Sequence, residues 1–209
     1  MMREEMKMMS KGILIVVSAP SGCGKGTILA EIVKSDEFYY SVSATTRQPR
    51  EGETDGVNYH FLQKDQFEKL IDSDGMLEYA QYCGNYYGTP KDKVFQKLDE
   101  GKNVILEIEV QGAMQIKKKC PDAVFIFIAP PSVQELKRRL EKRGTESAEI
   151  INQRVSEAKH EISFAHEYDY IIVNGELDKA VEDFKTVIHS QKFRSKNQNK
   201  FIDEVLNNA

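Results

Sequence analysis

The chain has 209 residues, 40% of them hydrophobic, and a formal net charge of −4. Such a length suits one compact α/β unit with room for an inserted subdomain, and the acidic balance gives no general attraction to nucleic acid. Residues 1–11 carry Glu4 and Glu5 and are followed by only a short apolar run, which argues against a signal peptide and a membrane span. The cysteines are widely spaced without a metal-ligand pattern, which indicates reduced thiols and a cytoplasmic protein.

The first predicted element is a buried strand at residues 13–17, and a helix is predicted at residues 27–33. Between them lies a glycine-rich segment, residues 19–26 (APSGCGKG), which we call the phosphate loop. Glycines let backbone N–H groups approach phosphate oxygens, and the positive end of the helix dipole faces the same anion. Lys25 adds a full positive charge. The predicted nucleotide-phosphate site consists of Ala19, Pro20, Ser21, Gly22, Cys23, Gly24, Lys25, Gly26 and Thr27.

The phosphate loop departs from the pattern G-x-x-x-x-G-K-[ST] at two positions. Ala19 replaces the first glycine, and Gly26 replaces the hydroxyl residue, with Thr27 one place later. An ordinary glycine-rich turn is the alternative, but a lysine between a strand and a helix favours the phosphate site. Because no side-chain oxygen directly follows Lys25, the sequence does not identify the magnesium ligand. Cys23 is interpreted as a small residue that fills the loop, and no redox role is assigned to it.

The remaining strands and helices alternate along the chain. Apolar runs predict strands at residues 103–110, 123–129 and 170–173, and helices are predicted at 91–100, 112–119 and 180–191. This alternation indicates a parallel sheet with right-handed crossovers, so the phosphate loop lies at the carboxyl end of the first strand, where such sheets bind ligands.

Two segments interrupt the alternation, which gives a division of the chain into parts. Residues 43–90 are rich in tyrosines and turn signals and are interpreted as an inserted substrate-binding subdomain. Residues 132–160 begin with a capping box at Ser132 and hold many basic residues, and they are interpreted as a helical lid. The core is then assigned to residues 12–42, 91–131 and 161–209, after a flexible N-terminal extension at residues 1–11.

Arginines in both segments suggest further phosphate contacts. Arg47 and Arg50 flank a proline, and their guanidinium groups could grip an acceptor phosphate, with Tyr59 as a neutral donor. Arg139 and Arg143 project from one helical face and could close over the transferring group. A solvated charged surface is the alternative for both sets, and the pattern alone does not decide which lid arginines matter.

At this point the residues match a family. From about residue 12 to residue 189, the chain resembles guanylate kinase, which transfers the terminal phosphate of ATP to GMP with magnesium, giving ADP and GDP. The stretches that carry the resemblance are residues 19–26 (APSGCGKG), 43–50 (SATTRQPR), 84–88 (GNYYG), 129–132 (APPS), 143–146 (RGTE) and 172–174 (IVN).

The resemblance implies an α/β P-loop core with helices on both faces, an inserted nucleoside-monophosphate-binding subdomain and a small helical lid. It also implies roles for individual residues. The GMP phosphate would be held by Arg47, Arg50, Tyr59 and Tyr87. The base would be bound by Glu78, Ser43 and Thr89. The ATP phosphates would be approached by Lys25, Arg139, Arg143 and Arg154, and the adenine by Asn174. Glu107 and Glu109, expected on one face of a strand, would lie near the nucleotide and the metal.

Glu78 is the residue that would read the base. Guanine presents two adjacent donors, N1–H and an exocyclic amino group, and a carboxylate accepts both, whereas adenine presents an acceptor at N1. A kinase for another nucleoside monophosphate remains an alternative, as does a non-catalytic scaffold domain that binds peptides. The expected partners are therefore ATP and GMP, with no nucleic acid or membrane. The magnesium ligands (Thr27 and Glu107 are candidates) and a homo-oligomer are left open.

Overall fold

In the computed structural model, residues 11–142, 144 and 146–207 are described. The predicted N-terminal extension therefore lies outside the described residues, apart from Lys11. The strands in chain order are β1 (Leu14–Ser18), β2 (Phe38–Tyr40), β3 (Ala44–Thr45), β4 (His60–Phe61), β5 (Met76–Tyr82), β6 (Asn85–Pro90), β7 (Asn103–Glu107), β8 (Val124–Ala129) and β9 (Tyr170–Val173). The α-helices are α1 (Lys25–Ile32), α2 (Lys64–Asp72), α3 (Lys91–Asp99), α4 (Val110–Lys119), α5 (Val133–Lys142), α6 (Ala148–Ser163), α7 (Leu177–Ser190) and α8 (Asn199–Asn207).

Five parallel strands form the central sheet in the order β2-β7-β1-β8-β9. β1 is buried along its whole length, as expected for a central strand covered on both faces. The connection after β1 leads to β2 at one edge of the sheet, and the connection after β7 crosses β1 to reach β8 on its other side. The connections on the two sides of β1 therefore run in opposite directions. Such a point opens a crevice at the carboxyl ends of the strands. The predicted fold class is confirmed.

The side chains of each strand alternate between two apolar layers. Val16, Leu106 and Phe127 face one side of the sheet, where they pack with residues of α3 and α4. Val17 and Ile105 face the other side, where they pack with α1 and α7. Each layer buries isoleucine, valine and phenylalanine side chains almost completely, and this burial is the main source of stability.

A second, smaller sheet is formed by the strands between β2 and α3. Its order is β4-β3-β6-β5, with β3 parallel to β4 and antiparallel to β6. Phe67 of α2 and Met76 are buried beneath it in a separate apolar cluster. The segment at residues 43–90 thus folds around its own small core.

The structure corrects one predicted boundary. The apolar run at residues 103–110 was expected to be one strand, but β7 ends at Glu107 and α4 begins at Val110. Ile108 and Val110 are both buried although they lie beyond the end of β7, and this burial explains why the apolar run continues past the strand. A short apolar run does not distinguish the end of a strand from the start of a helix. In the part of the chain that the structure describes, no helix is both long and apolar enough to cross a membrane.

Phe184 provides a test of the layer beneath α7. Its ring is fully buried and meets the edge of the Phe38 ring at a centroid distance of 6.5 Å. We expect Phe184→Ala to lower the free energy of unfolding by about 3–5 kcal/mol, because it removes a buried aromatic ring and leaves a cavity. Urea unfolding would measure the change. Phe193→Ala is the matched control, since Phe193 is 70% exposed, and equal losses in the two variants would contradict this packing.

Candidate active site

The phosphate loop and two other predicted site residues lie at the carboxyl edge of the central sheet. The phosphate loop follows β1, Glu107 ends β7, and Asn174 comes directly after β9. Because all five strands are parallel, these ends lie on the same side of the sheet. The crevice therefore brings together residues that are distant in the sequence, such as Asn174 and Cys23, which are 151 residues apart.

The phosphate loop has the backbone conformation that its glycines predict. Gly22 and Gly24 have φ values of 89° and 81°, a region that side chains with a Cβ rarely adopt. Gly24 also caps α1, and its carbonyl accepts hydrogen bonds from the N–H groups of Thr27 and Ile28 at 3.1 and 3.2 Å. The N–H groups at the start of α1 then point toward the crevice, as an anion requires.

Lys25 lies in the crevice beside a carboxylate from the neighbouring strand. Its Nζ is 3.5 Å from Oε1 of Glu107, and the other carboxylate oxygen accepts a hydrogen bond from the Tyr40 hydroxyl at 2.9 Å. Tyr40, at the end of β2, was not predicted as a site residue because its strand was not recognised. Tyr40 thus orients the Glu107 carboxylate, and Glu107 in turn holds the Lys25 ammonium group.

Asn174 fastens the phosphate loop from the far edge of the sheet. Its side-chain amide donates to the carbonyl of Cys23 at 2.6 Å, and the residue is 7% exposed. A Cβ placed on Gly24 would lie 2.6 Å from the same amide nitrogen, so glycine is required there for contact as well as for φ. Asn174 was expected near adenine, and its side-chain amide contacts the loop in this structure.

Helix α5, which begins the segment interpreted as a lid, packs against the phosphate loop. Leu136 and Leu140 contact Cys23 in a small apolar cluster, and a Cβ on Gly22 would meet Leu140 at 2.8 Å. Burial raises the pKa of Cys23 to about 12, although Arg139 and Lys25 act to lower it. The thiol is thus a protonated packing group at neutral pH, in agreement with its interpretation from the sequence.

Two lid arginines meet the phosphate-loop region. Arg139 donates through Nε to Glu135 at 2.8 Å and through a terminal nitrogen to the backbone oxygen of Asn174 at 2.9 Å. Arg154, on α6, donates to the Ser21 hydroxyl at 3.4 Å and pairs with Glu146 at 2.5 Å. The third predicted lid arginine, Arg143, lies outside the described residues.

On the second sheet, Arg47 is held by a carboxylate that sequence reasoning missed. Both oxygens of Glu53 accept from the Arg47 guanidinium at 2.9 Å, and Glu53 also accepts from the backbone N–H of Arg50 at 2.8 Å. These donors lower the pKa of Glu53 to about 2. Arg47 also lies over the ring of Tyr59, at 5.5 Å from the centroid, whereas the Arg50 side chain is exposed.

Tyr59 links Arg47 to a second tyrosine. Its ring meets that of Tyr87 at a centroid distance of 6.1 Å. Burial is the largest cause of the raised pKa of Tyr59, and Tyr87 and Glu107 also raise it. Arg47, Tyr59 and Tyr87 therefore form one cluster of a guanidinium group and two phenol rings.

Glu78 is a buried carboxylate on β5. It is 5% exposed, and the register between β5 and β6 shifts between Met76 and Glu78. Thr89, directly opposite on β6, donates from its hydroxyl to Oε1 at 2.7 Å. Burial is the main cause that raises the pKa of Glu78, and the nearby charge of Glu109 raises it further. A desolvated carboxylate of this kind gains strongly from a ligand that brings hydrogen-bond donors.

The structure thus combines the phosphate loop, two arginines beside it and a buried carboxylate on the second sheet. Residues 11–191 match the family model of guanylate kinase. The chain belongs to the guanylate kinase family. Membership makes it a nucleotide kinase, an ATP:GMP phosphotransferase.

Curated relatives and a solved structure agree with this family. The guanylate kinase of Streptococcus pneumoniae is 56% identical over 188 residues, which cover 89% of this chain and 90% of that protein. The guanylate kinase of Latilactobacillus sakei is 51% identical over 189 residues, which cover 90% and 93%. The crystal structure of guanylate kinase from Anaplasma phagocytophilum superposes with a TM-score of 0.72, at 31% identity and 88% coverage of both chains.

One expected arrangement of guanylate kinase residues is wrong. Glu107 and Glu109 do not share a face of one strand, because β7 ends at Glu107 and Glu109 is the exposed N-cap residue of α4. Ser43 is half-buried, and its carbonyl accepts from the N–H of His60 at 2.8 Å. Thr27, the other metal candidate, is exposed on the first turn of α1.

Sequence reasoning also missed an acidic residue near the phosphate loop of this guanylate kinase. Glu161 is on α6, and its pKa is raised by burial and by Glu109, while Lys25 lowers it. No motif marks Glu161 or Glu53, because a single acid on a helix or loop has no distinctive spacing. Only the folded arrangement brings them to cations.

Glu53 provides a test of how Arg47 is oriented. We expect Glu53→Gln to raise the KM for GMP by about tenfold, because a two-point carboxylate contact that fixes the guanidinium plane is lost. The KM for ATP should change little. Steady-state kinetics would measure both constants. Glu51→Gln is the matched control on the same exposed turn, and an unchanged KM for GMP in Glu53→Gln would contradict an orienting role.

Proposed function

We propose that this crevice transfers the γ-phosphate of ATP to GMP, giving ADP and GDP, and so serves purine nucleotide metabolism and GMP recycling. The observation that carries the proposal is the buried carboxylate of Glu78 on β5 of the second sheet, which accepts a hydrogen bond from Thr89. A phosphate loop alone fits many nucleotide enzymes, whereas a desolvated carboxylate beside the acceptor cluster selects a base with two adjacent donors.

The donor nucleotide would be held by the phosphate loop. The N–H groups of residues 22–27 and the Lys25 ammonium group would neutralise the β- and γ-phosphates. Arg139 and Arg154 lie beside the loop and would approach the transferring group, together with Arg143. Asn174, in addition to the predicted adenine contact, would keep the loop carbonyl of Cys23 turned away from the phosphates.

The acceptor nucleotide would lie on the second sheet. The GMP phosphate would be bound by Arg47, Arg50, Tyr59 and Tyr87. The guanine would donate N1–H and its amino group to Glu78, and Thr89 and Ser43 would contact other atoms of the base. Since Thr89 already occupies one lone pair of Oε1, the remaining lone pairs of the carboxylate are available to the base.

The reaction would be an in-line displacement in which a GMP phosphate oxygen attacks the γ-phosphorus. This phosphate is ionised near neutral pH, so no general base is required. The residues then act through positioning and charge stabilisation. Arg47 and Arg50 would offset the repulsion between the two anions, and the lid arginines would neutralise charge on the moving group. Closing of the lid and the second sheet would exclude water from the reacting groups.

Magnesium is the cofactor that this chemistry requires, and the residues present fit it. Mg²⁺ is commonly bound by one or two protein oxygens together with substrate phosphates and water. Thr27, beside the phosphate loop, and Glu107, beside Lys25, would supply such oxygens directly or through water. When bound, Mg²⁺ would neutralise phosphate charge and orient the β- and γ-oxygens. Glu109, the exposed N-cap residue of α4, would contact the acceptor nucleotide directly or through water.

Two rival functions are separated by experiment. A scaffold domain that only binds peptides does not need Lys25 or the arginines beside the loop, and their presence favours catalysis. A coupled assay for ADP, with and without GMP, distinguishes the two. A kinase for another nucleoside monophosphate would release ADP with AMP or a pyrimidine nucleotide instead.

Free cysteines throughout the described chain support a reducing, cytoplasmic location with ATP and GMP as the partners.

Lys25 tests the donor site. We expect Lys25→Met to lower kcat/KM on the order of 10²–10³-fold, because a positioned charge on the transferring phosphates is lost. Lys34→Met is the control, since Lys34 is an exposed lysine that pairs with Glu31 near the end of α1. Steady-state kinetics on folded protein would measure the loss, and full turnover in Lys25→Met would disprove the proposed donor site.

Glu78 tests the choice of base. We expect Glu78→Gln to lower the ratio of kcat/KM for GMP to that for AMP by about 10²–10⁴-fold, because the glutamine amide would face the guanine donors with a donor of its own. The glutamine carbonyl can still accept from Thr89, so the fold should be kept. Glu68→Gln is the control, since Glu68 is a partly exposed residue of α2 that pairs with Lys64 at 3.8 Å. An unchanged GMP preference would mean that another group reads the base.

A further inference from the structure

Helix α4 contacts the edge of the second sheet through two residues one turn apart. Gly112 and Gln115 are spaced i, i+3, so they lie on the same face of the helix. That face meets β5, which is an outer strand of the second sheet. Ala113 and Ile116, on the neighbouring face, are fully buried in the core beneath the central sheet. Helix α4 is therefore fixed to the core and extends a contact to the acceptor subdomain.

Gln115 satisfies the backbone of the outer strand at Tyr79. Its side-chain nitrogen donates to the carbonyl of Tyr79 at 2.9 Å, and its side-chain oxygen accepts from the Tyr79 N–H at 3.3 Å. This N–H belongs to the peptide bond that joins Glu78 to Tyr79. The two hydrogen bonds consequently fix the backbone from which the Glu78 side chain projects.

Gly112 determines where the Glu78 carboxylate can lie. A Cβ placed on Gly112 would be 2.6 Å from Oε2 of Glu78 and 3.1 Å from the carboxyl carbon, both closer than ordinary contact. Oε1 is held on the opposite side by Thr89. Glu78 is only 5% exposed, so protein atoms surround most of its side chain. It fits between β6 and α4 only because residue 112 has no side chain.

We propose that Gly112 and Gln115 are positioning residues that determine the specificity for the acceptor base. Gln115 sets the backbone of Glu78, and Gly112 sets the plane and depth of its carboxylate. The inference rests on the proposed function, since it assumes that Glu78 receives two hydrogen bonds from guanine. Two parallel hydrogen bonds tolerate little displacement, so a shift of the carboxylate should weaken guanine recognition more than it weakens ATP binding.

The first experiment is Gly112→Ala. We expect the KM for GMP to rise about 10–100-fold and the preference for GMP over AMP to fall by a similar factor, because a displacement near 1 Å misaligns both hydrogen bonds. The KM for ATP should stay within about twofold of the wild-type value, since the phosphate loop is not touched. Lys118→Ala is the matched control, because Lys118 is exposed on the same helix. A wild-type GMP preference in Gly112→Ala would overturn the proposal.

A second variant keeps the test independent of the introduced methyl group. Gln115→Leu has a similar size and creates no overlap with Glu78, but it removes both hydrogen bonds to Tyr79. We expect a smaller loss of GMP preference, of about 3–10-fold, again without a change in the KM for ATP. If Gly112→Ala does not fold, this variant decides the question. Equal loss toward GMP and ATP would indicate general destabilisation and would refute a positioning role.

A double variant tests whether Gly112 acts through Glu78. The shorter carboxylate of Glu78→Asp would avoid the added methyl group, so its effect in the Gly112→Ala protein should be smaller than in the wild-type protein. Purely multiplicative effects would overturn the coupling. The comparison with Glu78→Gln distinguishes base recognition by Glu78 from its positioning by Gly112 and Gln115. If Glu78→Gln keeps the GMP preference, the proposed base recognition fails; if only Gly112→Ala and Gln115→Leu keep it, this inference alone fails.

Discussion

The hydrogen bond from the Asn174 amide to the carbonyl of Cys23, at 2.6 Å, is the contact that fastens the phosphate loop to the end of β9. The phosphate loop must present N–H groups to an anion, so its carbonyl groups have to point elsewhere and find donors. Asn174 supplies one of these donors from the end of β9. Its own backbone oxygen accepts from Arg139, so the same residue connects the loop to the lid. The close approach is available because Gly24 has no side chain.

Each described cation of the site that makes a side-chain contact is paired with a glutamate. Lys25 lies beside Glu107, Arg47 is held by Glu53, Arg139 by Glu135 and Arg154 by Glu146. Without such partners, the positive groups would repel one another in the crevice before any nucleotide binds. Because the pairs are partly exposed, each is worth little stability, and a doubly charged phosphate can compete for the cation. The carboxylates therefore orient the cations without locking them.

The sequence predicted the fold and the strand–loop–helix order around the phosphate loop well because both depend on local patterns. Residues 13–33 contain a strand, a glycine-rich loop and a helix in succession, an order that is typical of phosphate-binding α/β folds. The carboxylate partners could not be predicted in the same way. Glu107 is far from Lys25 in the chain, and Glu53 follows Arg47 without a recognised motif. Their roles depend on which strands are neighbours, and Tyr40 shows the same limit, since its three-residue strand was too short to recognise.

The placement of Glu109 shows how a small error in an element boundary changes a chemical interpretation. Two acids at alternate positions of a strand would form one carboxylate surface, and that arrangement would suggest a shared metal site. Because β7 ends at Glu107, the second acid instead begins α4, where its negative charge is stabilised by the helix dipole. The same early helix start places Gly112 in the first turn, directly beside Glu78. A strand continued to residue 110 would leave no helix at this position, so the end of β7 decides both the electrostatics of the crevice and the shape of the base pocket.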